Sequence, residues 1–267
     1  MTAVAEHAAP GLTARGLGAL LPLLKGVAAL IATFALVEGL VIAFDIRPYV
    51  LPKPSMVFEA ILRTPGAYRD AMVRTGIETL LGFGAGAVFG IWIGVAFSRL
   101  RFLRETIFPI FVVSQTIPVI AFGALIVMWF GNTIFAKAVI VFYLTFFPVT
   151  VNTLLGMRSV DQKQVQLLRS FGASDAKIMR KLRFPSALPH IFVALRIASA
   201  LGLAGAVVGE WFGDTTGLGV LLLQGMYAEN MVAIWASILC SAVLGVLLFS
   251  IIGFAERRIV FWGDQDA

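Results

Sequence analysis

Side chains that could perform catalysis are scarce in this sequence. The two histidines, His7 and His190, form no metal-ligand pair, and the single cysteine, Cys240, lies within an apolar block. A disulfide framework or a cysteine metal site within one chain is therefore excluded. The sequence has no G-x-x-x-x-G-K-[ST] phosphate loop and no acidic cluster at a common site. We therefore expect no catalytic residue, no metal site and no bound cofactor in this chain.

Uncharged polar residues within apolar segments could instead contact a passing solute. They lie near Pro118 and Pro148, and prolines bend membrane helices and free backbone carbonyls that need partners. The alternative is that these side chains bond to their own helix, as Ser and Thr in membrane helices often do. The candidate lining of a transport path is Ser114, Gln115, Thr116 and Asn152.

Charged residues are rare within the apolar segments and lie near their ends. Glu38, Glu78 and Lys137 are near ends that we assign to the outer side, so we expect their side chains to extend to the membrane interface. Arg196 lies just inside the fifth segment, and we expect it to reach cytoplasmic water or backbone carbonyls.

A basic polar segment at residues 156–190 has the pattern of two short helices. The first helix is predicted over residues 161–171 and ends at Gly172, which tolerates a left-handed cap. Ser174 is a good N-cap for a second helix over residues 175–183, which Pro185 should end. Apolar residues on both helices need a packing surface, which favours a helical elbow over a solvated basic loop.

The elements that carry these residues are predicted to be membrane-spanning helices. Of the 267 residues, 59% are hydrophobic and 13% are charged, a composition too apolar for a soluble domain. Apolar stretches of about 20 residues match the thickness of a bilayer. We predict an all-α integral membrane protein with six transmembrane helices, at residues 26–44, 77–97, 107–130, 134–155, 191–209 and 232–255.

Lys and Arg are distributed unevenly between the two sides of these spans. The side that carries both termini and the elbow has most of them, and the opposite side has only Arg47, Lys53, Arg63, Arg69 and Arg74. The positive-inside rule therefore places both termini in the cytoplasm, with tails at residues 1–25 and 259–267. The excess of 21 Lys and Arg over 15 Asp and Glu then reflects orientation and does not indicate nucleic-acid binding.

Two outer segments carry opposite charge. Residues 45–75 hold the five outer basic residues and should begin extended before a short amphipathic helix, whereas residues 210–231 hold three acids and no Lys or Arg. The apolar run 217–226 is too short to cross the bilayer. It is either an outer gate, with Glu210, Gly217, Leu218 and Gly219 as candidate gate residues, or an interfacial helix that anchors the sixth span.

The second span contains a glycine stripe, since Gly82, Gly86, Gly90 and Gly94 recur every four residues. Such a stripe lets another helix approach closely. The same glycines match a loose dinucleotide fingerprint, but no strand precedes them, so we expect helix packing.

The elbow segment resembles a known cytoplasmic motif. Residues 166–172, Gln-Leu-Leu-Arg-Ser-Phe-Gly, followed after nine residues by Leu182-Arg-Phe-Pro185, resemble the E-A-A-x3-G-x9-I-x-L-P motif of binding-protein-dependent ABC importer permeases. Residues 184–198, 209–211, 217–219 and 51–55 are similar to the nitrate, sulfonate, taurine and bicarbonate branch of that superfamily. The resemblance covers roughly residues 45–258. The function of that family is therefore an expectation for this chain.

The resemblance implies a homodimeric permease in the bacterial inner membrane. Two separate ATPase subunits would use ATP and Mg and grip the elbows, and an extracytoplasmic binding protein would deliver the solute. The leading Glu of the motif is Gln166 here, which replaces a charge-assisted contact with a weaker neutral one. The residues that match or surround the docking motif are Gln166, Leu167, Leu168, Phe171, Gly172, Ser174, Ile178, Leu182 and Pro185.

The cargo and two other functional classes stay open at this point. The resemblance favours a small anion such as a sulfonate, taurine or nitrate, with a pyrimidine vitamin precursor or flavin as the alternative. A stand-alone secondary transporter should show coupling-ion carboxylates near the midplane or duplicated halves, and neither is visible. An integral-membrane enzyme should show a catalytic constellation, which is also not visible.

Overall fold

The computed structural model describes residues 12–262, and of residues 12–24 and 27 it describes the backbone alone. These residues form eleven α-helices and no strand. Of the predicted tails at 1–25 and 259–267, residues 1–11 and 263–267 lie outside the described residues. The helices are α1 (Leu12–Ala43), α2 (Pro54–Arg63), α3 (Pro65–Arg99), α4 (Arg101–Ser114), α5 (Val119–Phe130), α6 (Ile134–Arg158), α7 (Gln162–Ser170), α8 (Asp175–Ile178), α9 (Phe184–Glu210), α10 (Leu218–Tyr227) and α11 (Met231–Ile259).

Helix α6 is the centre of the bundle, packed between α3 and α9. The glycine stripe of α3 faces α6, because a Cβ added at Gly82 would lie 2.3 Å from the carbonyl oxygen of Ala138. On the opposite side, Gly205 and Gly209 of α9 face Leu144, Ile140 and Lys137 of α6. The predicted packing role of the α3 stripe is confirmed, and the matching glycines of α9 were not predicted.

Four described helices are long and apolar enough to cross a membrane, namely α3, α6, α9 extended back to Asp175, and α11. Helices α4 and α5 together make a fifth crossing only if this bent pair counts as one span. In α1, the described apolar part is Ala28–Ala43, which is shorter than these four. The structure therefore supports four or five candidate spans, and the predicted count of six is not confirmed.

The predicted third span, residues 107–130, is wrong as a continuous helix. Helices α4 and α5 meet at an angle of 95° across residues 115–118. Pro118 has no backbone N–H and disfavours helical geometry at Ile117, so the helix breaks there. Turn-type hydrogen bonds, such as Ile117 N–H to the Ser114 carbonyl at 3.2 Å, replace the helical ones at the break.

Two helices begin earlier than the sequence predicted. Helix α1 begins at Leu12, within the segment predicted to be a tail, and α3 begins at Pro65, twelve residues before the predicted second span. Proline at the first helical turn lacks an N–H that would have no partner there, so Pro54 and Pro65 start α2 and α3 without cost. The predicted amphipathic helix in the segment 45–75 is confirmed as α2.

Candidate functional site

The elbow between α6 and α9 is built from local capping contacts. The Asp161 side chain accepts a hydrogen bond from the Lys163 N–H at 2.9 Å and caps α7. Gly172 follows α7 with φ +73°, the left-handed conformation predicted for it. The Ser174 hydroxyl accepts from the Lys177 N–H at 3.4 Å and caps α8. A short helix, α7 or α8, therefore lies on each side of the glycine turn.

The elbow has a small apolar core of its own. Val165 and Ile178 are buried against each other with Val160, and Leu168 and Leu182 pack partly against them. Ile178, predicted to face a docking partner, is only 2% exposed and faces this core instead. The elbow is therefore a preformed unit, which a docking partner would find already folded.

Two large apolar side chains remain on the outside of the elbow. Leu167 is 57% exposed and Phe171 is 78% exposed, and Gln166 beside them is also exposed. The core of the elbow fixes the turn at Gly172, so the side chains of Leu167 and Phe171 project from its surface. Exposed apolar groups of this size on a folded turn are typical of an interaction surface.

Pro185 does not end the second elbow helix, which corrects the sequence prediction. Helix α8 continues through a π-helical turn, Met179–Arg183, directly into α9, so that residues 175–210 form one helical stretch. In the π turn the Phe184 N–H bonds to the Met179 carbonyl, five residues back. Pro185 then lies in the first turn of α9, where its missing N–H is tolerated, and Pro189 lies inside that helix.

The candidate path residues do not form one cluster of free polar groups. The hydroxyls of Ser114 and Thr116 donate to the carbonyls of Phe111 and Val113 at 2.7 and 2.8 Å. Asn152 donates in the same way to the Pro148 carbonyl at 2.9 Å. Each of these three side chains therefore bonds to a backbone carbonyl three or four residues earlier in the chain.

The helix break around Gln115 is held against α6. The Gln115 amide nitrogen is buried and has no hydrogen-bond partner among the described residues. The Tyr143 hydroxyl of α6 donates to the Ser114 carbonyl, which the break leaves without a helical partner. The ring of Tyr143 stacks on Phe122 of α5 at 4.2 Å. Tyr143 therefore connects the break to α6. The Gln115 amide nitrogen is the polar group of the break that has no partner among the described residues.

At the end of the bundle opposite the elbow, Glu210 joins three helices. This residue is fully buried at the end of α9. One carboxylate oxygen accepts from the Thr75 hydroxyl of α3 at 2.6 Å, and the other accepts from the Gly219 N–H of α10 at 2.6 Å. The Thr75 hydroxyl also accepts from the Leu218 N–H at 2.9 Å. The four candidate gate residues therefore meet, and Thr75 is a partner that the sequence did not predict.

The two glycines at the start of α10 make this contact possible. Gly217 has φ +155°, and a Cβ there would lie 2.2 Å from the carboxyl carbon of Glu210. A Cβ on Gly219 would lie 2.1 Å from the carbonyl oxygen of Val207. Only glycine lets the N–H groups at the first turn of α10 approach the carboxylate, which a helix N-terminus stabilises.

A second buried group of charges lies beside Glu210. Lys137 of α6 and Glu78 of α3 are both fully buried, which corrects the prediction that they extend to the interface. The Lys137 ammonium is 2.7 Å from an Asp214 carboxylate oxygen, and Arg74 bonds to Glu78 at 2.8 Å. Arg74 also lies 3.6 Å from Asp214. A buried charge requires a partner of opposite charge. These ion pairs therefore hold the side chains inside the protein.

Asp214 is the centre of these ion pairs and lies in the loop between α9 and α10. Burial alone would raise the pKa of its carboxyl. The Lys137 ammonium, the Thr215 N–H and the Arg74 charge outweigh burial and hold the pKa of Asp214 below its ordinary value. Asp214 is therefore a carboxylate at neutral pH, held between α3 and α6.

Two other charged residues contact side chains of neighbouring helices. Glu38 of α1 accepts from the Ser55 hydroxyl and N–H, at 2.6 and 3.0 Å, and so fixes α2 to α1. Arg196 of α9 pairs with Glu256 of α11 and lies over the ring of Phe249. The Arg196 side chain is 34% exposed, so access to water stays a prediction, and Glu256 is a partner that the sequence did not predict.

One ion pair of the buried charge cluster was indicated by the sequence. Arg74 and Glu78 are four residues apart, a spacing at which opposite charges on a helix attract. The pair of Lys137 with Asp214 had no such signal, because these residues are far apart in the chain. Only the packing of α6 between α3 and α9 brings them together.

The fold and these sites define a multi-pass helical membrane protein with a preformed elbow at one end and a buried ionic cluster at the other. Comparison with known proteins gives the same class of protein. The family described as binding-protein-dependent transport system inner membrane component matches residues 86–261. The chain therefore belongs to this family.

Similar proteins span most of the chain. The formylaminopyrimidine transport permease protein of Halalkalibacterium halodurans is 34% identical over 82% of this chain and 88% of its own length. The putative aliphatic sulfonates transport permease protein of Bacillus subtilis is 30% identical over 93% of this chain and 88% of its own length. Among solved structures, a chain of the inward-facing MetNI methionine ABC transporter matches with a TM-score of 0.58 and 20% identity, over 76% of this chain and 97% of that chain. At that identity the likeness concerns the fold alone.

Proposed function

We propose that this chain is the permease subunit of an ABC importer that passes a small solute from an extracytoplasmic binding protein into the cytoplasm. The observation that carries the proposal is the elbow, whose own core holds Leu167 and Phe171 outward at one end of the bundle. Family membership supports a transport role. ATP hydrolysis would then take place in separate ATPase subunits.

The proposed assembly contains two copies of this chain and two ATPase subunits. Each elbow would dock on one ATPase in the cytoplasm, which places both termini on the cytoplasmic side, as the distribution of Lys and Arg favours. The buried cluster around Glu210 would then lie at the outer end, near the surface that receives the binding protein. Gln166 at the exposed edge of the elbow would contribute a neutral hydrogen bond to docking.

We expect Gly172→Val to disrupt the elbow and release the ATPase. The left-handed turn at φ +73° should cost a β-branched residue about 1–2 kcal/mol. No atom lies within 4 Å of an added Cβ, so the penalty is conformational and not steric. The measurement is copurification of the ATPase with tagged permease, together with ATP-driven uptake in proteoliposomes.

The matched control for this variant is Gly172→Asn, because asparagine tolerates the left-handed conformation better than other side chains. It should retain the ATPase and transport. If Gly172→Val copurified with its ATPase and transported as well as Gly172→Asn, the elbow would not be the docking element.

We further propose that α10 is part of an outer gate. Its N-terminus is tied to the buried Glu210 and Thr75, so a movement of α9 or α3 would displace α10. The apolar side of α10 lies next to α9 and α11, and Leu222 contributes to an apolar groove with these helices. The competing role is a static anchor for α11.

Cysteine labelling distinguishes the gate from the anchor. We expect Leu221→Cys and Leu222→Cys, in a Cys240→Ala background, to change their reactivity toward a membrane-impermeant maleimide when ATP is trapped in the complex. These positions avoid Gly217 and Gly219, where any side chain would collide. The exposed Gln224→Cys serves as the control for general access. Equal reactivity of the two leucine positions in both states would leave α10 as an anchor.

The names of the relatives support two classes of cargo. The relative with 34% identity is named for formylaminopyrimidine transport, and the relative with 30% identity for aliphatic sulfonates. Uptake assays with the cognate binding protein, using a radiolabelled alkanesulfonate and a radiolabelled aminopyrimidine, decide between them. Competition by only one of the two unlabelled compounds assigns the cargo.

A further inference from the structure

A polar pocket of about 220 Å³ opens at the elbow end of the bundle. It lies where three parts of the chain meet: the turn between α3 and α4, the end of α6, and the π-helical turn before α9. The polar residues that line it are Ser98, Arg104, Arg158, Gln162 and Arg183.

The three arginines in this pocket have no acidic partner among the described residues. The acidic residues nearest to Arg104 and Arg183 in the sequence have other partners: Glu105 pairs with Arg101 at 2.7 Å, and Asp175 pairs with Arg169 at 2.9 Å. Asp161 caps α7. Positive guanidinium groups that line one pocket repel one another, and an anion placed between them would reverse the sign of that interaction.

We propose that this pocket binds a tetrahedral oxyanion of the phosphate or sulfate type. Arg104, Arg158 and Arg183 would supply the charge, since the planar guanidinium group matches such oxygens in a bidentate manner. Ser98 and Gln162 add neutral hydrogen-bonding groups. The cavity has room for the ion and some of its water, because a water molecule occupies about 30 Å³ in the liquid.

A bound anion would connect the elbow to the body of the permease. Arg158 and Arg183 stand at the two ends of the elbow segment, and Arg104 belongs to α4. One ion shared by all three would hold the base of the elbow against the turn between α3 and α4. The ion has two possible sources with the same chemistry, the phosphodiester of an anionic phospholipid and a free anion in solution.

The test is protection of the arginines in the wild-type full-length protein. In neutral detergent, sodium sulfate should slow the modification of Arg104 and Arg183 by phenylglyoxal at least about fivefold relative to sodium chloride of equal ionic strength. The exposed Arg99, next to the pocket but not lining it, should react at the same rate in both salts. Mass spectrometry of peptides gives the rate for each arginine.

Lipid nanodiscs distinguish the two sources. Protection by sulfate in phosphatidylcholine nanodiscs assigns a free anion, whereas protection by phosphatidylglycerol alone, without added sulfate, assigns a lipid headgroup. A double variant, Arg104→Gln with Arg183→Gln, should lose the thermal stabilisation that the effective anion gives, and Arg99→Gln should keep it. The proposal is overturned if neither sulfate nor phosphatidylglycerol slows the reaction of Arg104 and Arg183 more than that of Arg99. This experiment requires no ATPase, so its outcome is independent of the proposed transport function.

Discussion

Gly82→Ala is expected to destabilise the permease by about 1–3 kcal/mol, because the new methyl group would overpack a helix interface. Its Cβ would lie 2.3 Å from the Ala138 carbonyl oxygen and 2.5 Å from the Val141 Cβ. A backbone atom cannot rotate away, so α3 and α6 would have to separate along the whole glycine stripe. The measurement is the midpoint of thermal unfolding in detergent, followed by size-exclusion chromatography.

Gly84→Ala is the matched control for this prediction. It lies on the same helix, two residues away, with nothing within 4 Å of an added Cβ. Alanine favours a helix over glycine by about 0.8–1.0 kcal/mol, so this variant should unfold at the same temperature or higher. Equal midpoints for Gly82→Ala and Gly84→Ala would contradict the close packing of α3 on α6.

Lys137→Met is expected to have the largest effect, a loss of about 3–5 kcal/mol, because it leaves buried acids without their cation. Lys137 is fully buried, and without it the cation left near Asp214 would be Arg74, at 3.6 Å. The same thermal measurement applies. We also expect weaker uptake, since the loop between α9 and α10 would no longer be held to α6.

Two comparisons isolate the buried ion pair from a general effect of charge. The double variant Lys137→Met with Asp214→Asn should recover part of the lost stability, because neither partner is then an isolated buried charge. Arg63→Met removes a cation from an exposed pair with Glu59 and should cost at most about 1 kcal/mol. If the Lys137 and Arg63 variants were equally stable, the buried cluster would have no structural role.

The local features of this fold could be predicted from the sequence. Caps and turns depend on a few adjacent residues, and the residue types at Gly172 and Ser174 were enough to predict the turn and the cap of the elbow. The glycine stripe of α3 has a period that only a helix surface explains. Family membership likewise followed from ordered short motifs, and the match to residues 86–261 confirms it.

The wrong predictions concern prolines and charged residues whose partners are far away in the chain. Pro118 breaks a helix and Pro185 does not, although both stand near the boundary of an apolar segment. The difference depends on whether the proline lies in the first turn of a helix, where its missing N–H is tolerated. Pro185 lies in such a turn because the π turn at 179–183 comes directly before α9. The partners of Lys137 and Glu210 come from other helices, and a single sequence carries no record of such contacts.

The helical stretch from Asp175 to Glu210, which includes the π turn and Pro189, connects the elbow to the buried charge cluster. At 1.5 Å per residue, its 36 residues extend about 54 Å, from the elbow to the buried Glu210. A rigid rod of that length that tilts by about 5° displaces its far end by about 5 Å. In the proposed gate, a small rotation at the elbow would therefore move Glu210, and the contacts of its carboxylate with Thr75 and Gly219 would pass the movement to α3 and α10.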